Sequence, residues 1–195
     1  VQSEILYLRG MTEELESFHN KIISKAKEYE VYDSLIEALQ AKQRFIGFRY
    51  GSKKAEKIGE QIFNFEESRK FAQRSRLLFT KIGSKINQSE SPSEYYDELK
   101  EAVSILSQDF NKSKSATVGY YYYYLNTEKL QLENQFEQAE IVLNELVSLL
   151  IKSPAIYTRA RHGDIIMNLS NNEIFLNDYK SAIANSVYEI GRAHV

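Results

Sequence analysis

The chain has no cysteine. That excludes disulfides, thiolate metal sites and thiol nucleophiles together, and it fits a reducing compartment. The cytoplasm is therefore the expected location. Only two prolines occur, Pro92 and Pro154, and only eight glycines in 195 residues. So few breakers leave room for long uninterrupted helices. Strand signals are missing as well: no β-branched stretch alternates strictly, and no Asn-Gly or Asp-Gly dipeptide marks a hairpin. No apolar run reaches the roughly 18 residues that a membrane span needs. The net charge is only −2, too small to attract nucleic acid or an anionic membrane by a global field. The chain begins at Val1 with no charged-then-apolar leader pattern, which suggests a piece of a longer protein.

What is present is the balance of a globular protein, 43% hydrophobic and 27% charged residues. Apolar residues recur at helical spacing. Leu15, Phe18, Ile22 and Ala26 make one stripe over 11–29. Tyr32, Leu35, Ile36, Leu39 and Ile46 make a second. Gly51 is placed to end that helix and Ser52 to cap the next, which runs from Lys53 to about Ile86, with Gly83 near its end. "NQSESPSEYY" at 87–96 is a loop with Ser93 as helix cap. Helices follow over 94–109, 115–133, 136–153 and 155–176, and a last one begins in "NDYKSAIANSVYEI". Short polar joints between consecutive helices imply antiparallel packing.

Four segments share a pattern: "YDSLIEAL" from Tyr32, "YYDELKEAV" from Tyr95, "FEQAEIVL" from Phe136 and "YKSAIANS" from Tyr179. Each sets an aromatic at a helix start and a small or apolar residue three or four positions on. Phe136 with Ala139 and Tyr179 with Ala182 match most closely, 43 residues apart. With Tyr123 early in the preceding helix and Pro154 after the second, this stretch resembles the tetratricopeptide-repeat family. The resemblance covers 114–188 best. It departs in its 43-residue spacing, in "ENQF" where the family has glycine, and in the long 53–86 helix. It implies an all-α fold, an α-solenoid of antiparallel helix hairpins, as one domain over 1–188. Residues 189–195 stand apart. "IGRAHV" resembles a reading frame of a sequencing-library adaptor, so Ile190–Val195 are expected to be non-native.

No constellation carries catalysis. His19, His162 and His194 are far apart, and no His-x-x-x-His spacing exists. "HGD" at 162–164 pairs a base with an acid, but a mid-helix Gly163 reads more simply as a packing residue. Glu13, Glu14, Glu16, Glu66 and Glu67 read as solvated helix faces. The expectation is no enzyme, no cofactor and no metal. The basic stretch 68–89 holds Arg69, Lys70, Arg74, Arg76, Lys81 and Lys85 with no acid between Glu67 and Glu90. A phosphate track along 69–85 is the less favoured reading, because Phe71 and Phe79 sit at core spacing.

Five consecutive tyrosines, Tyr120–Tyr124, circle their helix at 100° per residue. Four of them fall on apolar arcs. Tyr122 lines up with Asn126, Lys129 and Glu133 on a polar stripe, which leaves its ring facing solvent or a partner. The family resemblance implies a protein- or peptide-binding scaffold with a groove lined by first helices. Its candidate residues are Glu37, Gln40, Arg44, Tyr122, Asn126, Lys129, Arg161 and Asn168. The alternative is a sensory or regulatory segment of a larger signalling or transcription-control protein.

Overall fold

The computed structural model describes residues 12–193, with side chains described to Val187. Residues 1–11 and His194–Val195 lie outside it. Eight α-helices occur among the described residues: α1 (Thr12–Glu28), α2 (Tyr32–Tyr50), α3 (Ser52–Gln88), α4 (Tyr96–Ser113), α5 (Ala116–Leu132), α6 (Phe136–Lys152), α7 (Arg159–Phe175) and α8 (Tyr179–Ala193). No strand interrupts them. No helix among the described residues is long and apolar enough to cross a membrane. The chain divides into two compact units that meet in sequence within α3, one up to Lys70 and one from Phe71.

Local chemistry sets the helix ends. Gly51 takes φ 88° and ψ 169°, backbone space open essentially to glycine, and stops α2. Ser91, not Ser93, caps the short 3-10 turn Pro92–Glu94, its hydroxyl accepting from the Ser93 N–H. Gly83 does not end α3, which continues to Gln88, since one helical glycine costs only about 1 kcal/mol. Gly191 likewise lies inside α8. α4 outruns its expected end, with Lys114 left-handed after it and Ser115 capping α5.

One turn recurs three times. Glu30, Asn134 and Asn177 adopt φ of 49°, 58° and 61°. The next residue in each case, Val31, Gln135 or Asp178, donates its N–H five residues back, to Ala26, Leu130 or Glu173, at 2.9 Å every time. The left-handed residue donates three back at 3.0–3.2 Å. This is the Schellman closure, with asparagine in glycine's usual place at two of the sites. It explains how "ENQF" makes the turn without glycine. An aromatic then starts the second helix: Tyr32, Phe136 or Tyr179. Three positions on, Leu35, Ala139 and Ala182 are buried. Tyr95 has no such place; it precedes α4 after the 3-10 turn. Three hairpins result: α1–α2, α5–α6 and α7–α8. The bounds of α5 and the start of α6 recur 43 residues later in α7 and α8.

In the first unit Leu15, Ile23, Leu35, Leu39 and Phe45 form a core with Ile58 and Ile62 of α3. In the second unit successive helices from α4 to α8 pack on their sequence neighbours. Two apolar clusters result. One joins Ile82 of α3 to Leu99, Leu106 and Leu125; the other joins Tyr120 to Leu143, Leu146, Leu150 and Ile165.

Candidate functional site

α5 sits between these two clusters, and its tyrosines serve both. Tyr121 packs against each of them. Phe79 of α3 meets Tyr121 at 4.9 Å and Tyr124 edge-on at 5.4 Å between ring centroids. Tyr122 is half-buried, not solvent-facing: it stacks on Phe110 of α4 at 6.0 Å and 25°. Phe110 also meets Tyr123 edge-on at 5.6 Å. A polar stripe on an isolated helix wheel would face water, but α4 covers that side. The approach is close because Gly119 has no side chain. A Cβ there would lie 2.7 Å from the Phe110 ring and 2.9 Å from a Leu149 methyl.

The expected groove residues of the second unit make separate contacts. Lys129 pairs with Glu133 at 3.3 Å, and Glu133 accepts from the Tyr96 hydroxyl at 2.6 Å. The stripe of Tyr122 and Lys129 is therefore joined to α4. Asn126 on the same stripe is half-buried. Arg161 of α7 lies over the Tyr120 ring, 4.6 Å from its centroid, and donates Nη1 to the Ile156 carbonyl at 3.0 Å. Burial pushes the Tyr120 phenol up to about 12, so this is a neutral ring beneath a cation. Glu37, Gln40 and Arg44 are exposed on α2, the second helix of its hairpin, in the first unit.

Asn168 is placed differently. With Tyr124, Thr127, Glu128 and Gln131 of α5 and Leu143 of α6, it lines a cleft of about 240 Å³ that includes open solvent. Its room for water-sized contents is only about 20 Å³, enough for about one water molecule and far below a ligand pocket of roughly 300 Å³ or more. Glu128 is half-buried, and burial raises its carboxyl pKa. No cation is paired with it among the described residues. Its charge helps to raise the buried Tyr95 phenol, after burial itself. Gln131 donates to Asn172 Oδ1 at 3.2 Å, and the fully buried Asn172 donates to the Phe136 carbonyl at 2.8 Å. This amide relay ties α7 to the α5–α6 turn and fixes the cleft wall. Helical periodicity alone does not single out Glu128, Thr127 and Gln131. Their signal was available only as polar residues beside Tyr124 on the face that α7 covers.

The basic stretch is largely committed to acids. Arg69 donates to Asp33 at 2.8 Å. Arg74 makes a two-bond pair with the buried Asp109, its Nε 2.7 Å from Oδ2. Lys81, 2.6 Å from Oε2, and Lys85 both hold Glu98. Hydrogen bonds from Lys81 and Lys85, with their charges adding to the effect, keep the Glu98 carboxyl down at about 2. Among the described residues no group of three or more His, Asp or Glu side chains is placed to hold a metal ion. His162 is buried and 6.3 Å from the Tyr157 ring; Asp164 beside it is exposed. No protein-family model, curated protein or solved structure matches the chain.

Proposed function

We propose that this chain is a non-catalytic protein-binding module, an α-solenoid of tetratricopeptide-like hairpins that holds extended peptides through the α5–α7 cleft. One observation carries the reading. Glu128 is a half-buried carboxylate without a cation, in a cleft flanked by an amide, a hydroxyl and a tyrosine and too small for a cofactor. A buried charge without a counterion is costly, and a cationic group from a ligand would relieve that cost. The complementary feature of the ligand is a lysine or arginine, with neighbouring backbone reaching Asn168. The threefold recurrence of one hairpin turn supports a repeat architecture. Nucleic acid is disfavoured because four of the six cations on 69–85 already pair with acids. Releasing counterions from the remaining two, Lys70 and Arg76, would give a salt slope of only about −2.

The test is selection of displayed random 12-residue peptides on the immobilised chain, followed by fluorescence anisotropy of the enriched sequences. Enriched peptides should carry Lys or Arg. Glu128→Gln and Asn168→Ala should each weaken binding roughly fivefold or more, about 1 kcal/mol. The reading fails if nothing is enriched, or if binding ignores both substitutions.

A further inference from the structure

The hydrogen bonds around the Glu128 cleft fix what its wall can offer a ligand. The amide relay has one unambiguous end. The Phe136 carbonyl can only accept, so Asn172 presents Nδ2 to it, at 2.8 Å. That turns Asn172 Oδ1 toward Gln131, which answers with Nε2 at 3.2 Å. Gln131 is left with Oε1 to offer the cleft that it lines. Thr127 is settled in the same way. Its hydroxyl donates to the Tyr123 carbonyl at 3.0 Å, so its proton is spent and its oxygen can only accept. Glu128, when ionised, has no proton to give. Lys129 beside it in the chain is engaged by Glu133 at 3.3 Å.

Three polar groups of one wall therefore present acceptors, and one of them is charged. Such a wall selects a cation that carries donors only. Room narrows the choice. About 20 Å³ is available, the space of about one water molecule. An ammonium head is of that size and has three N–H donors, one for each acceptor group. A guanidinium is a planar fork built on three nitrogens and needs more room. A hard metal cation asks for about six oxygens or more, beyond what these groups supply. Leu143 and the Tyr124 ring line the same cleft, and they give a methylene stem an apolar surface to lie on.

We infer that the cleft is a site for a primary ammonium on an alkyl stem, the head of a lysine side chain, and that it discriminates against arginine. The inference rests on the peptide-binding reading of this cleft and narrows it, from either basic side chain to one. Specificity comes from the committed protons of Thr127 and Gln131 and from the small space, while the Glu128 charge alone would accept both cations.

The probes are n-butylammonium, n-butylguanidinium and potassium chlorides, each titrated into the isotope-labelled full chain at pH 7 and constant ionic strength. Nuclear magnetic resonance follows the side-chain amides of Gln131 and Asn168. The n-butylammonium shifts should saturate with a dissociation constant on the order of 1–10 mM, as for so small a ligand. The n-butylguanidinium ion should bind roughly fivefold more weakly or worse. Glu128→Gln, and Thr127→Val, which keeps the shape and loses the acceptor, should each weaken n-butylammonium roughly fivefold or more. Circular dichroism checks that both variants fold. Glu140→Gln, outside the cleft lining, should leave binding unchanged. Equal binding of n-butylguanidinium overturns the inference and leaves the broader reading, lysine or arginine, standing. Saturable shifts with potassium overturn it by making the site one for a metal cation. Absence of any saturable shift also overturns it, and peptide selection then decides the broader reading separately.

Discussion

Arg74 and Arg76 stand two residues apart on α3, both exposed, and only Arg74 has a buried partner. Asp109 is 2% exposed and takes two N–H groups from Arg74. Truncating one partner of a buried pair leaves an uncompensated charge and costs about 3–5 kcal/mol. Half of the Arg74 side chain reaches water, so solvent screens its side of the pair, and about 2–3 kcal/mol is expected for Arg74→Ala. Arg76→Ala should stay within about 0.5 kcal/mol of wild type. Asp109→Asn removes the charge but keeps an acceptor, and should cost about 1 kcal/mol. In the Asp109→Asn background the Arg74→Ala penalty should shrink by about 1–2 kcal/mol, the coupling energy of the pair. The assay is urea unfolding at pH 7, followed by far-ultraviolet dichroism and tyrosine fluorescence. With a slope of about 2 kcal/mol/M, Arg74→Ala lowers the midpoint by about 1 M. If Arg74→Ala and Arg76→Ala lower it equally, the pair is an ordinary surface contact and its structural assignment is wrong.

Gly119→Val should destabilise the chain by about 1–3 kcal/mol in thermal unfolding, because Phe110 and Leu149 occupy the space. Gly119→Ala should cost less, since alanine regains about 1 kcal/mol of helix propensity. Asn134→Val and Asn177→Val should each cost about 1–2 kcal/mol, while Asn→Gly at either site should be close to neutral, because both residues hold left-handed backbone. A cost at one site and none at the other would refute the equivalence of the two turns. Glu98, depressed to about 2 by Lys81 and Lys85, contributes stability that is present above the ordinary carboxylate range and lost as pH falls toward 2. Glu128 and Glu173, both raised chiefly by burial, have the opposite sign: the stability tied to their protonated forms is lost as pH rises through their folded pKa values. Lys81→Met with Lys85→Met should therefore flatten the acid side of a stability–pH curve, and an unchanged acid limb would refute the pairing.

The helical class, the polar joints and the paired aromatic-x-x-alanine starts at Phe136 and Tyr179 were legible because each depends on a few neighbouring residues. The hairpin turn was legible in part: "ENQF" marked the break, but asparagine in a left-handed conformation was not anticipated as the substitute for glycine. Asn168 was the expected groove residue that the structure places on the cleft. Tyr122, Lys129 and Arg161 instead hold their own neighbours. Glu128, the residue that gives the cleft its chemistry, looked like any other helical carboxylate.

Periodicity along one helix gives the angle of each side chain about that helix's own axis. Periodicity and the scarcity of breakers together point to helices and to most of the joints between them, and composition alone excludes cysteine chemistry. Periodicity does not say what lies opposite each angle. That was decided by residues distant in sequence: Phe110 stacking on Tyr122, Asp109 engaging Arg74, Asn168 of α7 lining one cleft with Glu128. The same physics leaves Met167, Ile174, Tyr179 and Ile183 exposed, since burial belongs to the neighbour that covers a face and not to the sequence that forms it.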